Sequence, residues 1–133
     1  MERIYHENMS LPKKESNIIF VFGDNDKGIH GKGAARVALN KFGAIWGKKP
    51  NQLVGNSYGI STKVSPSVYM SLEKTTTNIL KFVEFTKEHL ELFFFITEVG
   101  CHLAGFKESE IAPLFKECGS NCSFSINWKK YYE

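Results

Sequence analysis

The stretch that most constrains the fold runs from Asn17 to Phe42. It opens with NIIFVF, Asn17 to Phe22, an unbroken apolar run that stops at Gly23, the pattern of a strand covered on both faces. A glycine-rich loop follows, and then Ala35, Ala38, Leu39 and Phe42 fall at i, i+3, i+4 and i+7, the spacing of an amphipathic helix that Gly43 closes. A doubly covered strand that leads through a glycine loop into a helix calls for helices packed against a sheet, not for a bundle or a sandwich.

The rest of the chain repeats that alternation. Leu53 to Thr62 is a weaker strand, interrupted by two glycines. Glu73 to Leu90 is the longest helix, with Ile79, Phe82, Val83 and Leu90 on one face. Phe93 to Val99 reads as a second buried strand ending at Gly100. Ile111, Leu114, Phe115 and Cys118 restore helical spacing, with Pro113 in the first turn, where a missing N–H costs least. Cys122 to Ile126 is a final short strand. The expected fold class is α/β, one domain with a mainly parallel mixed sheet flanked by helices on both faces. Its core is 17–128, preceded by an extension or edge strand over 1–16 and followed by a tail, 129–133.

At 133 residues there is room for one domain of ordinary size. Hydrophobic residues make up 42% of the chain, 11 Phe among them, which supports a real core and excludes global disorder. The longest apolar run, Leu92 to Ile96, is far too short to cross a bilayer, so the expectation is a soluble protein with no membrane partner. Three cysteines, Cys101, Cys118 and Cys122, are an odd number with no secretory signal, which favours reduced, buried thiols in the cytoplasm. A zinc set of Cys101, His102, Cys118 and Cys122 is disfavoured because two of its ligands are sequence neighbours; no metal and no cofactor are expected.

Charge is unevenly spread. Between Lys27 and Leu72 there is no Asp or Glu, but there are seven cations: Lys27, Lys32, Arg36, Lys41, Lys48, Lys49 and Lys63. The whole chain carries only +3, so the remainder is net negative and the positive stretch points to an anionic partner.

Chemistry is expected at the carboxyl ends of the strands, where α/β sheets bind ligands. The loop from Gly23 to Ala35 holds Gly28, Gly31 and Gly33, which let backbone approach a ligand, while Ala34 and Ala35 keep the start of the helix open to an anion. It is neither a Walker A loop, since Gly33 follows Gly31-Lys32, nor a Rossmann fingerprint, since Arg36 takes the third glycine position. Gly100-Cys101-His102-Leu103-Ala104-Gly105-Phe106 is the second loop suited to wrap a diphosphate. Tyr58 and Phe106 supply aromatic surface, and Asp24 or Asn25 suits a base or ribose. His30 and His102 suit phosphate contact or proton transfer, and Lys63 would be a nucleophile if burial lowered its pKa. Asp24, Lys63, His30 and Glu98 are the candidates for assisting a water attack.

Five segments in order carry a resemblance: GIHGKGAA (28–35), FGAI (42–45), GNSYGISTK (55–63), GCHLAGF (100–106) and EIAPLF (110–115). Together, from about Ile18 to Trp128, the chain resembles the macrodomain-like proteins of phages and prophages. The layout is also similar to that of macrodomain enzymes that release ADP-ribose from acidic side chains. That resemblance implies ADP-ribose or a related NAD-derived nucleotide as ligand, with Gly31, Gly33 and Ala35 on the first loop and Gly100, Cys101 and Leu103 on the second. It places Lys63 at the catalytic lysine. Two departures stand out: His102 replaces a glycine, and Ala104 takes the catalytic aspartate's position, so the lysine–aspartate machinery of an ADP-ribosyl glycohydrolase is incomplete. The competing expectation is a nucleic-acid-binding accessory protein that uses the basic segment with Trp46 and Tyr58 as stacking platforms.

Overall fold

The apolar run at Ile18 becomes the centre of the sheet because both of its faces are covered. In a computed structural model describing residues 2–133, strand β2 (Ile18–Asn25) sends Ile19 and Val21 to one face, where they meet Ile79, Phe82 and Val83. Phe20 and Phe22 go to the other face and meet Ala35, Ala38 and Phe42. Phe20 and Phe42 stack with centroids 4.6 Å apart. Each such buried ring stabilises the fold by roughly 1.5–3 kcal/mol.

Among the described residues the chain forms a seven-stranded sheet. Besides β2 it contains β1 (Ile4–His6), β3 (Leu53–Val54), β4 (Ser57–Ser65), β5 (Val68–Tyr69), β6 (Phe93–Ile96) and β7 (Cys122–Ser125). The order is β1-β7-β6-β2-β4-β3, with β5 also paired to β4. Every pairing from β1 across to β4 is parallel; β3 and β5 are antiparallel to β4. Helix α1 (Gly33–Lys41) lies on the Phe20 face, and α2 (Leu72–Glu88) and α3 (Glu108–Ile111) lie on the other. This is the mainly parallel α/β domain with helices on both faces that the alternation of elements predicts.

Local chemistry sets the boundaries. Gly43, at φ +78°, turns the chain out of α1, and Ser71 caps α2 by accepting the N–H of Lys74 at 3.1 Å. At the far end of α2, Asn121 Nδ2 donates to the carbonyls of Thr86, His89 and Leu92, so the helix stops before the expected Leu90.

Three expectations need correction. Leu53 to Thr62 is not one strand: Gly55 (φ +59°) turns the chain between β3 and β4, packed so close to Gly43 that a Cβ would sit 2.7 Å from the Gly43 carbonyl oxygen. The helix through Cys118 is shorter, passing from α3 into a 3-10 turn, Ala112–Phe115, that starts beside Pro113. The tail packs onto the core: a 3-10 segment, Ile126–Tyr131, leads to Tyr132, whose buried hydroxyl donates to the Ala112 carbonyl at 2.7 Å.

Candidate functional site

The order in which the chain adds strands reverses between β2 and β6. These strands are parallel neighbours, yet the chain leaves β2 through α1 toward β4 on one side and leaves β6 through α3 toward β7 on the other. Where adjacent connections diverge, the region beyond the carboxyl ends of the strands is the place at which α/β sheets bind ligands. The two glycine loops flank it. A Cβ on Gly33, the first residue of α1, would stand 3.2 Å from Leu103, so the loops touch there.

The first loop is held from beneath by polar side chains at the end of β2, which runs on through Asn25, past the expected stop at Gly23. Asn25 Oδ1 accepts the N–H groups of Lys27 (3.1 Å) and Ile29 (3.2 Å), and its Nδ2 donates to the Ile29 carbonyl at 2.9 Å. Asp24 Oδ1 accepts the Asn25 N–H, and Asp24 Oδ2 lies 3.3 Å from His30 Nε2. Both side chains are buried, beside a cavity of about 10 Å³ that has room for one water at most. Burial pushes the Asp24 carboxyl above its usual range, against the pull of the Asn25 N–H and of His30. Gly28 (φ +65°) rests on the next turn, where a Cβ would come 2.1 Å from the Lys48 carbonyl oxygen. Asp24, Asn25, Gly28 and His30, expected to touch ligand, are therefore engaged in shaping the loop.

What this scaffold presents outward is backbone. Gly31 is exposed, and a Cβ there would meet nothing within 4 Å. Helix α1 begins after Lys32 with no side-chain cap and no acidic residue in its first turn, so its leading N–H groups keep their affinity for an anion. Ala34 is half-buried at this start, whereas the Ala35 side chain points into the core.

In the second loop, a Cβ on Gly100 (φ +77°) would stand 3.4 Å from the Phe106 ring and 3.6 Å from the Thr62 side chain of β4. Phe106 thus leans on the core rather than standing free for stacking. The half-buried Cys101 thiol donates to the Val99 carbonyl, and burial, with Glu98 and Glu108 nearby, pushes its pKa up to about 12, making it unreactive. Ala104 is buried, while Leu103 and Gly105 are exposed.

Two more expectations fail on geometry. Tyr58 is 1% exposed, wedged against Phe82 and Phe85 at 4.9 and 5.1 Å under α2, so it offers a surface to neither nucleotide nor nucleic acid. Lys63 turns its ammonium to the Pro66 carbonyl (2.7 Å) and the Tyr69 ring (5.1 Å), bracing the β4–β5 hairpin. Its backbone carbonyl, accepting the Asp26 N–H at 3.0 Å, is what ties it to the first loop.

A polar cluster beside the second loop is only partly legible in the sequence. Glu98, buried just past β6, accepts from Ser125 Oγ (2.7 Å) and Asn127 Nδ2 (2.9 Å) through one oxygen and faces His102 Nε2 at 3.0 Å with the other. Burial works to raise its pKa, but those hydrogen bonds and the His102 charge outweigh it and hold the carboxyl below its usual range. An acid directly after an apolar strand marks Glu98; nothing local marks Ser125 or Asn127. Cys118 and Cys122 are buried in the core, and among the described residues no three His, Cys, Asp or Glu side chains gather as a metal site. Nor is any helix among them long and apolar enough to cross a membrane.

No protein-family model matches the chain, and a search of curated proteins finds no match either.

Proposed function

We propose that this protein is a macrodomain-like binder of ADP-ribose or a related NAD-derived nucleotide, held between the loops that follow β2 and β6. The observation that carries the reading is the divergence of the chain at these two parallel neighbours, flanked on both sides by glycine loops. A diphosphate needs donors more than charge, and the exposed backbone from Gly31 to Gly33, at the uncapped start of α1, supplies them. Lys27 and Lys32, both exposed on the same loop, add positive potential around it.

Any hydrolysis at this site rests on His102 rather than on a lysine–aspartate pair, because Ala104 has no carboxylate and the Lys63 ammonium is taken up by its hairpin. The nucleic-acid reading loses its central platform with the burial of Tyr58. A role in phage–host conflict over NAD-derived signals follows from the family resemblance alone and forms part of the proposal.

The test is calorimetric titration with ADP-ribose, cyclic ADP-ribose isomers and NAD, followed by chromatography of the mixtures. Saturable binding by at least one of them is expected. Absence of heat with all of them at millimolar concentration overturns the reading.

A further inference from the structure

We propose that Glu98 is a positioning residue that keeps the His102 ring proton on Nε2, leaving Nδ1 as an acceptor for a ribose hydroxyl of the bound nucleotide. The ligand half of this proposal rests on the nucleotide reading above; the tautomer half does not.

The argument begins with donor and acceptor counting. An ionised carboxylate only accepts hydrogen bonds. The Glu98 side chain is 4% exposed, and its Oε2 already receives the hydroxyl of Ser125 and the amide of Asn127. Ser125 is itself oriented, because its oxygen accepts the Asn127 backbone N–H at 3.2 Å. Donors from the end of β7 and from the segment after it thus prevent the carboxylate from turning, and Oε1 is left facing His102 Nε2 at 3.0 Å. A nitrogen opposite such an oxygen must carry the proton, and in a neutral imidazole the other nitrogen then has a lone pair.

That second nitrogen, Nδ1, has no hydrogen-bond partner among the described residues, and the His102 side chain is 64% exposed. The ring therefore combines a fixed end with an open one, the arrangement of a base held in place by an orienting acid. Its neighbour Leu103 packs against Gly33 where the two glycine loops meet, and the proposal sets the open Nδ1 toward a ligand bound there.

The test is long-range nitrogen–proton correlation NMR on the labelled full chain, recorded on the neutral ring. His102 is expected to show a protonated Nε2 and a bare Nδ1. In Glu98→Gln, Ser125 and Asn127 keep the amide oxygen on their side, the NH₂ turns to His102, and the ring proton moves to Nδ1. An averaged, free-imidazole signal in the wild type overturns the proposal, as does an unchanged tautomer in a folded Glu98→Gln. The wild-type spectrum decides the matter if that variant does not fold.

Calorimetry with ADP-ribose tests the ligand half. Loss of the acceptor is expected to weaken binding about tenfold in Glu98→Gln, the size of one hydrogen bond. Equal affinity overturns the ribose contact. No heat with the wild type for ADP-ribose, cyclic ADP-ribose isomers or NAD overturns the nucleotide reading and the ribose contact with it, while the tautomer result still decides the Glu98–His102 pair.

Discussion

Leu103 Cδ1 lies 3.2 Å from where a Cβ would stand on Gly33, so the loop after β6 rests on the first residue of α1. The contact joins the two halves of the proposed site, and Gly33 also holds φ at +59°. Gly33→Ala is expected to cost about 1–2 kcal/mol from backbone strain alone. Adding Leu103→Ala should relieve the contact but not the strain, so urea denaturation of the double variant should show only partial recovery.

Gly28 and Gly31 separate structure from binding. A Cβ at Gly28 would collide with the Lys48 carbonyl at a positive φ, so Gly28→Ala is expected to cost roughly 3 kcal/mol or more. Gly31→Ala meets open space and should leave stability within about 0.5 kcal/mol. If the Gly31 backbone approaches ligand, the same substitution weakens ADP-ribose binding; thermal unfolding with and without ligand reads both effects.

His6 makes the fold acid-sensitive. Its ring stacks on Phe95 at 3.7 Å, and burial lowers its pKa to about 4, although the Ile96 carbonyl and Glu98 pull the other way. The unfolded chain takes up a proton near pH 6.5 that the folded chain refuses until about pH 4. Stability is therefore full above 6.5 and falls as pH drops through this window, by about 2 kcal/mol once the ring's partial exposure is allowed for. The depressed Glu98 carboxyl adds to the loss at lower pH, since its contribution is complete above its unfolded value and is lost as pH falls through its lower folded one. His6→Phe, which stacks but does not titrate, should flatten the slope of unfolding free energy between pH 4 and 6.5.

The last residues are structural. Tyr132→Phe leaves the buried Ala112 carbonyl without its donor and is expected to cost about 1–2 kcal/mol by chemical denaturation. A change near zero would mean that the segment after β7 contributes little.

The α/β class, the apolar part of β2, both principal helices and the placement of both glycine loops were legible in the sequence; the continuation of β2 through Asp24 and Asn25 was not. They depend on local regularities: an apolar run, a helical period, a glycine where the chain must turn. The same regularities left the role of each polar residue open. Asn25 and Asp24 sit where a ligand contact is plausible, and only the folded loop shows their hydrogen-bonding atoms directed at Lys27, Ile29, Asn25 and His30.

Tyr58 shows why. It lies in the part of β4 that is buried on both faces, and the rings that cover it, Phe82 and Phe85, come from α2, a separate element far along the chain. Glu98 illustrates the same limit over longer range, since its partners Ser125 and Asn127 lie 27 and 29 residues away. By itself the sequence determined that two glycine loops would stand at the carboxyl edge of a parallel sheet. Only the tertiary structure decided which of their side chains hold the loops and which groups remain free, because hydrogen bonds between distant segments leave no periodic trace in the chain.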